Sequence, residues 1–227
     1  MTASIMTERP PVKLGVLISG SGTNLQAIID AILRGDLKAE VRLVISNRDG
    51  AQGLERARRH GIETRVIEHR KFRSREDFDR ALLAALNERS VELVICAGFT
   101  RLLSSVMLQA LPGRIMNIHP GLSPAFPGLH AQRDALEHGV KIAGCTVFFV
   151  TAGIDVGPII VQAAVPVLPG DDEVRLAARI LQQEHRIFPH AIQLFQEGRL
   201  EIQGRTVIVK GDSAVPHSPP LVNPPAV

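Results

Sequence analysis

The chain has 227 residues, of which 45% are hydrophobic and 22% charged, and its formal net charge is +3. This length suits one large α/β domain or two small ones, and the composition is that of an ordinary globular protein. No apolar run approaches the roughly 20 residues needed to span a bilayer. Residues 1–12 carry acid and prolines instead of an apolar signal core, which argues against export.

The cysteines argue against a disulfide-bonded secreted protein, and the distribution of basic residues argues against a nucleic-acid-binding protein. Cys96 and Cys145 lie far apart in apolar runs, so we predict buried, reduced thiols in a cytoplasmic protein. Arginines and lysines cluster between positions 56 and 75, but acidic residues interleave with them and Phe72 is the only aromatic there. A nucleic-acid-binding surface needs a stripe of basic residues with fewer acidic residues among them, together with aromatic rings on which bases can stack. We therefore predict a solvated face, with one or two arginines serving an anionic small molecule.

A glycine-rich turn follows the first predicted strand, residues 13–19. The turn, Ser-Gly-Ser-Gly-Thr-Asn over residues 19–24, leads into a helix with apolar residues at helical spacing. Such a turn aims free backbone N–H groups at an anion. Leu25 stands where a dinucleotide fingerprint needs a third glycine, and no Gly-Lys-Ser/Thr follows as in a Walker loop. The turn suits one phosphate monoester, with Thr23 and Asn24 as extra donors. A purely structural turn is the alternative.

Strands and helices alternate through the first half of the chain. Further strands are predicted at 41–46, 64–67, 93–97 and 115–119, with helices at 54–60, 74–86 and 104–111 between them. Ser74 and Asp77 resemble a capping box that opens the second of these helices. Residues 93–97 are uniformly apolar, which is typical of a parallel strand buried on both faces. The alternation predicts a doubly wound, mostly parallel sheet with right-handed crossovers.

The second half of the chain predicts an antiparallel extension of that sheet. The predicted elements are a helix at 129–138, strands at 145–150 and 159–167, a long helix at 173–196, and a hairpin with arms 199–203 and 206–210. The two strands are joined by eight residues, too few for a helical crossover, so we expect them to run antiparallel. Asp171 or Asp172 should cap the long helix, which Pro189 is expected to kink or divide. We predict one α/β domain over residues 12–210 and a disordered, proline-rich tail over 211–227.

Two polar side chains, Asn117 and His119, end the predicted strand 115–119 before Pro120 stops it. Residues two apart in a strand point to the same face, and open α/β sheets place their chemistry at the carboxyl ends of strands. An amide and an imidazole could hold and protonate an oxygen that gains negative charge during acyl transfer. The alternative is that Asn117 caps a turn and His119 is a hydrogen-bonded core histidine.

Six motifs in the same order resemble the folate-dependent phosphoribosylglycinamide (GAR) formyltransferases of purine synthesis. The motifs lie at residues 17–28, 97–104, 117–120, 127–130, 155–160 and 183–185. The resemblance extends from Val16 to about Leu200 and implies a Rossmann-like domain that needs no metal. It also implies the reaction, which is transfer of the formyl group of 10-formyltetrahydrofolate to the amine of GAR in de novo purine biosynthesis.

The resemblance also implies roles for individual residues. The catalytic group would be Asn117, His119 and Asp155. A carboxylate beside an imidazole favours its cationic form, which suits Asp155 as the partner of His119. The implied GAR-binding residues are Gly22, Thr23 and Asn24 at the phosphate and Glu184 at the ribose hydroxyls. The implied folate-binding residues are Arg75, Thr100, Arg101, Leu102, Leu103, Asn117, Thr151, Ala152, Gly153, Ile154 and Asp155. We expect small-molecule partners, no nucleic acid and no membrane, and we leave a homodimer open.

Three positions depart from the family pattern. Gly121 and Ser123 stand where the family tends to have Ser and Leu after His-Pro. Phe148 stands where many members have a second histidine near the site. None of these removes a member of the catalytic group, but they weaken any claim that a second imidazole assists.

Three alternative functions share parts of this pattern. Methionyl-tRNA formyltransferase has the same Asn-x-His…Asp site with an added carboxyl-terminal RNA-binding domain, for which we expect residues 211–227 to be too few. Formyltetrahydrofolate deformylase hydrolyses the formyl group and has an amino-terminal regulatory domain, for which we expect no room before Ser19. A non-catalytic phosphosugar-binding protein would keep the glycine turn but would leave Asn117, His119 and Asp155 unexplained.

Overall fold

The computed structural model describes residues 9–211 together with Leu221 and Asn223. Its strands are β1 (Val12–Ile18), β2 (Ala39–Ser46), β3 (Thr64–Val66), β4 (Leu93–Cys96), β5 (Ile115–His119), β6 (Ile142–Phe149), β7 (Ile159–Pro166), β8 (Leu200–Gln203) and β9 (Thr206–Val209). Its helices are α1 (Thr23–Arg34), α2 (Gln52–Arg59), α3 (Arg75–Glu88), α4 (Ser105–Ala110), α5 (Ala131–His138) and α6 (Glu173–Gln196), and a short 3₁₀ turn, His69–Lys71, follows β3.

The strands form one nine-stranded sheet in the order β3-β2-β1-β4-β5-β6-β7-β9-β8. Strands β1 to β5 are mutually parallel, whereas β6 runs antiparallel to both β5 and β7. The terminal hairpin joins the sheet through β9, which lies parallel to β7 and antiparallel to β8. The predicted doubly wound sheet with an antiparallel extension is therefore confirmed. The order reverses between β1 and β4, which is the switch point at which open α/β sheets bind ligands.

Helices cover both faces of the parallel part of the sheet. One apolar cluster contains buried residues of α1, α2 and α6, and Phe188 of α6 is fully buried in it. The second cluster, on the other face, contains Phe78 and Leu82 of α3 and Met107 of α4. Neighbouring residues of β1 divide between the two clusters, with Val16 in the first and Leu17 in the second, as the alternation of side chains along a strand requires. The carboxyl ends of the central strands are thus left as the open edge.

The ends of several helices lie where their capping residues predicted them. The Ser74 hydroxyl accepts the N–H of Asp77 at the start of α3, and the Asp172 carboxylate accepts the N–H of Arg175 at the start of α6. Gly35 and Gly139 end α1 and α5 in the left-handed conformation, which favours glycine because it has no Cβ. The predicted cap of α3 is therefore confirmed, and Asp172 rather than Asp171 caps α6.

Some predicted boundaries were wrong by one to three residues. Strand β2 begins at Ala39 rather than Val41, and β6 begins at Ile142 rather than Cys145, because pairing with β1 and β7 extends both strands past their most apolar residues. Helix α5 begins at Ala131, so Leu129, which is 72% exposed, lies in the preceding loop. The predicted bounds of β5 were correct.

Pro189 does not divide the long helix, contrary to one of the two expectations. Helix α6 continues from Glu173 to Gln196 with Pro189 inside it. A proline removes one backbone hydrogen bond and crowds the preceding turn, but α6 packs against α1, β6 and β7 along its length. The burial of Phe188 and Pro189 at this point offsets the local loss.

Both cysteines are free and buried, as predicted. Burial raises the pKa of the Cys96 thiol to about 12, with the nearby Asp79 carboxylate adding to the effect. Burial likewise raises the pKa of Cys145 to about 12. Both thiols are therefore neutral near pH 7 and act as small apolar core residues.

The tail prediction falls mostly outside the described residues, which include only Gly211, Leu221 and Asn223 of that segment. The Asn223 side-chain amide donates to the carbonyls of Lys141 and Val167, each at 2.7 Å. Within the part of the chain that the structure describes, no helix is long and apolar enough to cross a membrane.

Candidate active site

The segments predicted to carry function converge at the carboxyl edge of the sheet. The glycine turn leaves β1, residues 98–103 leave β4, and β5 ends at His119. Strands β4 and β5 are adjacent and parallel, and β1 lies on the other side of β4. The loop after β6, residues 150–158, begins beside β5 because the N–H of Val150 donates to the carbonyl of Ile115. The sheet topology therefore collects the first three segments, whereas the loop after β6 begins beside the amino end of β5, which is antiparallel to β6, and reaches His119 through Asp155.

The His119 imidazole is held between two acceptors. Its side chain is nearly fully buried at the end of β5, with Nδ1 3.3 Å from a carboxylate oxygen of Asp155. Its Nε2 lies 2.8 Å from the carbonyl oxygen of Phe126 and donates to it. A neutral imidazole has one N–H and satisfies only one of these groups, whereas the imidazolium satisfies both. Both ring nitrogens of His119 therefore face a hydrogen-bond acceptor.

Asp155 ties together two loops of the site. Its Oδ2 atom accepts the backbone N–H of Gly128 at 2.9 Å and also faces His119. The backbone of Asp155 is left-handed, with φ of 53°, a conformation that non-glycine residues seldom adopt and that is enriched at functional sites. The 14% exposure of its side chain leaves the carboxylate partly shielded from water, so its charge acts on the imidazole with little screening.

Asn117 lies on the same face of β5 as His119. Met116 and Ile118 pack into the first apolar cluster, while Ile115 packs into the second, so Asn117 and His119 point to the second side. The Asn117 side chain is partly exposed, and among the described residues no hydrogen bond engages its amide. The amide is therefore available to donate to a bound ligand.

Two of the three departures from the family pattern lie against this group. A Cβ added at Gly121 would lie 2.7 Å from Nε2 of His119, so the imidazole position depends on glycine at 121. Phe148 is buried and pairs with Asn117 across β5 and β6. No second imidazole takes its place at that strand position. The backbone N–H of Ser123 donates to Thr146 Oγ1 at 3.0 Å, which fixes the loop that carries Phe126.

The glycine turn has the geometry of an anion site. Gly22 caps α1 in the left-handed conformation, and no side chain caps the helix or places negative charge in its first turn. The first N–H groups of the helix consequently have no side-chain acceptor and point at the open edge, together with the positive end of the helix dipole. The predicted phosphate-binding residues, Gly22, Thr23 and Asn24, are all part of this terminus.

Sequence reasoning missed the contact that makes Gly22 obligatory. A Cβ on Gly22 would lie 2.4 Å from the Cα of Gly53, in the first turn of α2. The N–H of Gly53 also donates to the carbonyl of Gly20 at 3.0 Å. The glycine turn is thus packed directly on α2, a pairing that no local sequence pattern indicates.

A cavity of about 310 Å³ opens beside the glycine turn. Its lining includes Thr23, Asp30, Arg56 and His185. The Arg56 Nε donates to the carbonyl of Ser21 at 2.9 Å, so one arginine of the cluster at positions 56–75 contacts the glycine turn. Burial lowers the pKa of His185, and its Nε2 is buried without a hydrogen-bond partner among the described residues. Arg56 and His185 join the candidate site, and the glutamine-glutamate-histidine motif was the available signal for the latter.

Glu184 contacts the glycine turn although it is 160 residues away in the sequence. Its carboxylate accepts the Asn24 side-chain amide at 2.7 Å, and both groups are buried. Burial raises the pKa of Glu184, although the Asn24 hydrogen bond acts in the opposite direction. Asn24 Oδ1 has no hydrogen-bond partner among the described residues. This pair therefore offers an acceptor and a fixed amide next to the anion site.

The predicted folate-binding residues border one apolar cluster. Phe99, Leu103 and Val150 pack against the second cluster, so both predicted folate segments adjoin the same face of the sheet. The ring of Phe99 stacks on Phe78 with centroids 6.4 Å apart, and Arg75 is exposed one helical turn before Phe78 on α3. Arg101, Leu102 and residues 151–154 are also exposed. Most of the predicted folate-binding residues are therefore exposed, whereas Asn117 and Asp155 are only partly exposed.

No cluster of three or more histidine, cysteine or acidic side chains suited to a metal ion occurs among residues 9–211, Leu221 and Asn223. The side chains that the structure brings to the end of β5 are an amide donor, Asn117, and a carboxylate-paired imidazole, His119 with Asp155.

Comparison with known proteins assigns the family. The profile described as formyl transferase matches residues 12–192. The phosphoribosylglycinamide formyltransferase of Escherichia coli (strain K12) is 46% identical over 201 residues, which cover 88% of this chain and 95% of that protein. The chain therefore belongs to the formyl transferase family.

Three further proteins are similar to this chain in sequence or in structure. The trifunctional purine biosynthetic protein adenosine-3 of Drosophila pseudoobscura pseudoobscura is 51% identical over 197 residues, and the match spans 86% of this chain but only 14% of that relative. The crystal structure of glycinamide ribonucleotide transformylase 1 from Symbiobacterium toebii superposes with a TM-score of 0.86 at 58% identity and covers 88% of this chain and 94% of that one. A formyltetrahydrofolate deformylase from Pseudomonas syringae pv. tomato has a TM-score of 0.81 at 20% identity, which shows a shared fold alone.

Proposed function

We propose that this protein transfers the formyl group of 10-formyltetrahydrofolate to the amine of GAR. The observation that carries the proposal is the His119 imidazole, held by Asp155 and the Phe126 carbonyl beside the unengaged amide of Asn117. The similarity to GAR formyltransferases along almost their whole length supports the choice of acceptor. The reaction belongs to de novo purine synthesis in the cytoplasm, with small molecules as partners and no metal. Residues 12–210 form the catalytic domain.

The chemistry follows from the side chains at the end of β5. The neutral amine of GAR attacks the formyl carbon, and the carbonyl oxygen of the formyl group becomes an oxyanion. Asn117 donates a hydrogen bond to that oxygen, while the charge of the His119 cation stabilises it. Both ring nitrogens are already engaged, so His119 acts through charge. The attacking nitrogen gives up a proton, the folate nitrogen takes one, and the bond between the formyl carbon and the folate nitrogen then breaks.

The two substrates would approach this centre from opposite sides. The phosphate of GAR binds the N–H groups at the start of α1, assisted by Arg56 and His185, and Glu184 accepts hydrogen bonds from the ribose hydroxyls. The folate lies against Arg75, residues 100–103 and residues 151–155. Holding both reactants by parts remote from the reacting atoms lowers the entropy lost on reaching the transition state.

A single assay separates this function from its rivals. The protein is mixed with 10-formyltetrahydrofolate alone, with GAR, or with methionyl-tRNA, and loss of the formyl group is followed. Loss only with GAR supports the proposal, whereas loss without an acceptor would indicate a deformylase and loss only with tRNA a tRNA formyltransferase. No loss in any mixture would leave the non-catalytic reading. His119→Ala is the negative control in each case.

A further inference from the structure

The Ser19 hydroxyl lies at the junction of the two proposed substrate sites. Ser19 ends the run of β1 and is 6% exposed. Its Oγ donates to Oδ1 of Asn47 at 2.7 Å and accepts the backbone N–H of Thr100 at 2.9 Å. Its own backbone N–H donates to the carbonyl of Gly98 at 3.1 Å. Ser19, at the start of the glycine turn, is thus hydrogen-bonded twice to the turn that leaves β4.

These two hydrogen bonds fix the first residue of the proposed folate segment, residues 100–103. Gly98 has a left-handed backbone, so the chain reverses sharply between β4 and Thr100. The Phe99 side chain stacks on Phe78, whereas Thr100 is exposed. The Ser19 hydroxyl is the buried acceptor that holds the Thr100 N–H toward β1.

Asn47 sets the direction in which the Ser19 hydroxyl points. Asn47 follows β2 and is 2% exposed, and its side-chain oxygen accepts a hydrogen bond from the Ser19 hydroxyl. The oxygen lone pairs of Ser19 are then directed at Thr100, since a hydroxyl has one proton and two acceptor sites. The Asn47 amide nitrogen lies 3.3 Å from Nδ1 of His69, which holds the amide in turn. Side chains after three parallel strands therefore act on the segment after the fourth.

We propose that Ser19 and Asn47 are positioning residues for the folate segment and not for the glycine turn. The inference rests on the proposed function and adds residues to it that touch neither substrate. By position in the sequence, Ser19 belongs to the glycine turn and would be expected to affect GAR. Its hydrogen bonds instead run to residues 98–100, so its loss should weaken binding of the folate.

The decisive measurement is which KM changes in Ser19→Ala. Loss of the hydroxyl leaves the buried Asn47 oxygen unpaired, which typically costs about a tenfold factor, and it also releases the Thr100 N–H from β1. We expect the KM for 10-formyltetrahydrofolate to rise about tenfold while the KM for GAR changes less than about twofold. Ser46→Ala is the matched control, because Ser46 is a fully buried serine at the end of β2 whose hydroxyl, among the described residues, bonds to Arg48 alone. It should leave both constants unchanged.

A second pair of measurements separates positioning from general destabilisation. Asn47→Ala should also raise the folate KM, and the double variant should be little worse than Ser19→Ala, because the two side chains act through one hydroxyl. Tetrahydrofolate binding by calorimetry tests the same effect without catalysis. A rise in the KM for GAR alone, or equal rises in both, would overturn the inference. If the native protein transfers the formyl group and Ser19→Ala has the same KM values and the same affinity for tetrahydrofolate, the inference is wrong. The proposed function would still stand in that case.

Discussion

At the scale of single residues, the charge on Asp155 is the feature most open to test. Asp155→Asn keeps the shape of the side chain but removes the anion that faces His119 at 3.3 Å. Turnover should fall about 100- to 1,000-fold near neutral pH, because the stabilised charge belongs to the transition state, while the affinities for both ligands stay within about threefold.

The protonation state of His119 is the direct readout of this prediction. Imidazole nitrogen resonances, followed by NMR over a range of pH, should show a smaller cationic fraction in Asp155→Asn at any given pH. His119→Ala should be at least as damaging to turnover, and the double variant little worse than the worse single one, because the pair acts as a unit. An unchanged cationic fraction would rule out this role for Asp155 even if the variant were inactive.

Glu184 gives the site a pH dependence of its own. Burial raises its pKa above the ordinary value of 4.5, and only the carboxylate accepts hydrogen bonds from two ribose hydroxyls. As the pH falls toward this raised pKa, the carboxyl takes up a proton, so the KM for GAR should rise at a higher pH than an ordinary glutamate would cause.

Glu184→Gln isolates this effect. The amide does not titrate, so its KM for GAR should be higher than that of the native protein at neutral pH but should lack the Glu184 contribution at acid pH. The phosphate of GAR titrates equally in both proteins, and the difference between the two profiles therefore belongs to Glu184. Parallel profiles would contradict the assignment of Glu184 to the ribose.

At the scale of elements, the packing of the glycine turn on α2 makes Gly22 a stability determinant. Gly22→Ala forces a Cβ to within 2.4 Å of Gly53 in a backbone with φ of +70°. The left-handed conformation alone costs a residue with a Cβ about 1–2 kcal/mol, and the backbone clash adds to it. The free energy of unfolding, measured with urea, should therefore fall by about 2 kcal/mol or more. Gly20→Ala is the matched control, since a Cβ there meets nothing within 4 Å. Equal stability of the two variants would show that the turn adjusts without cost.

The elements that the sequence predicted well are those specified by local signals. Ser74 and Asp172 cap helices because a side-chain oxygen three residues before an N–H needs no tertiary contact. The bounds of β5 follow from an apolar run that Pro120 stops. Pro189 shows the limit of such reasoning, because local propensity argues for a break whereas packing against α1, β6 and β7 decides for continuity.

The candidate site was predictable only in part, for the same physical reason. Asn117, His119 and Asp155 were recognisable from side-chain chemistry and motif order. The partners that define their geometry come from distant parts of the chain, as with the Phe126 carbonyl on His119 and Asn24 on Glu184. Backbone groups and contacts over long sequence separations leave no local pattern, and they appear only once the sheet has brought the strand ends together.

At the scale of the whole molecule, the carboxyl-terminal segment tests where the catalytic domain ends. A truncation after Lys210 removes no residue of the candidate site but does remove Asn223, whose amide donates to Lys141 and Val167 at 2.7 Å each. A hydrogen bond contributes about 1 kcal/mol net, and about 1 kcal/mol shifts the Tm of a domain of this size by about 2–4 °C. We therefore expect the truncated protein to keep its turnover and both KM values, with a Tm about 4–8 °C lower for the loss of the two bonds. Asn223→Ala in the full chain should reproduce that shift in Tm, which calorimetry of the two variants would measure. Loss of most of the turnover, or of the folded state, on truncation would place residues 211–227 within the catalytic domain.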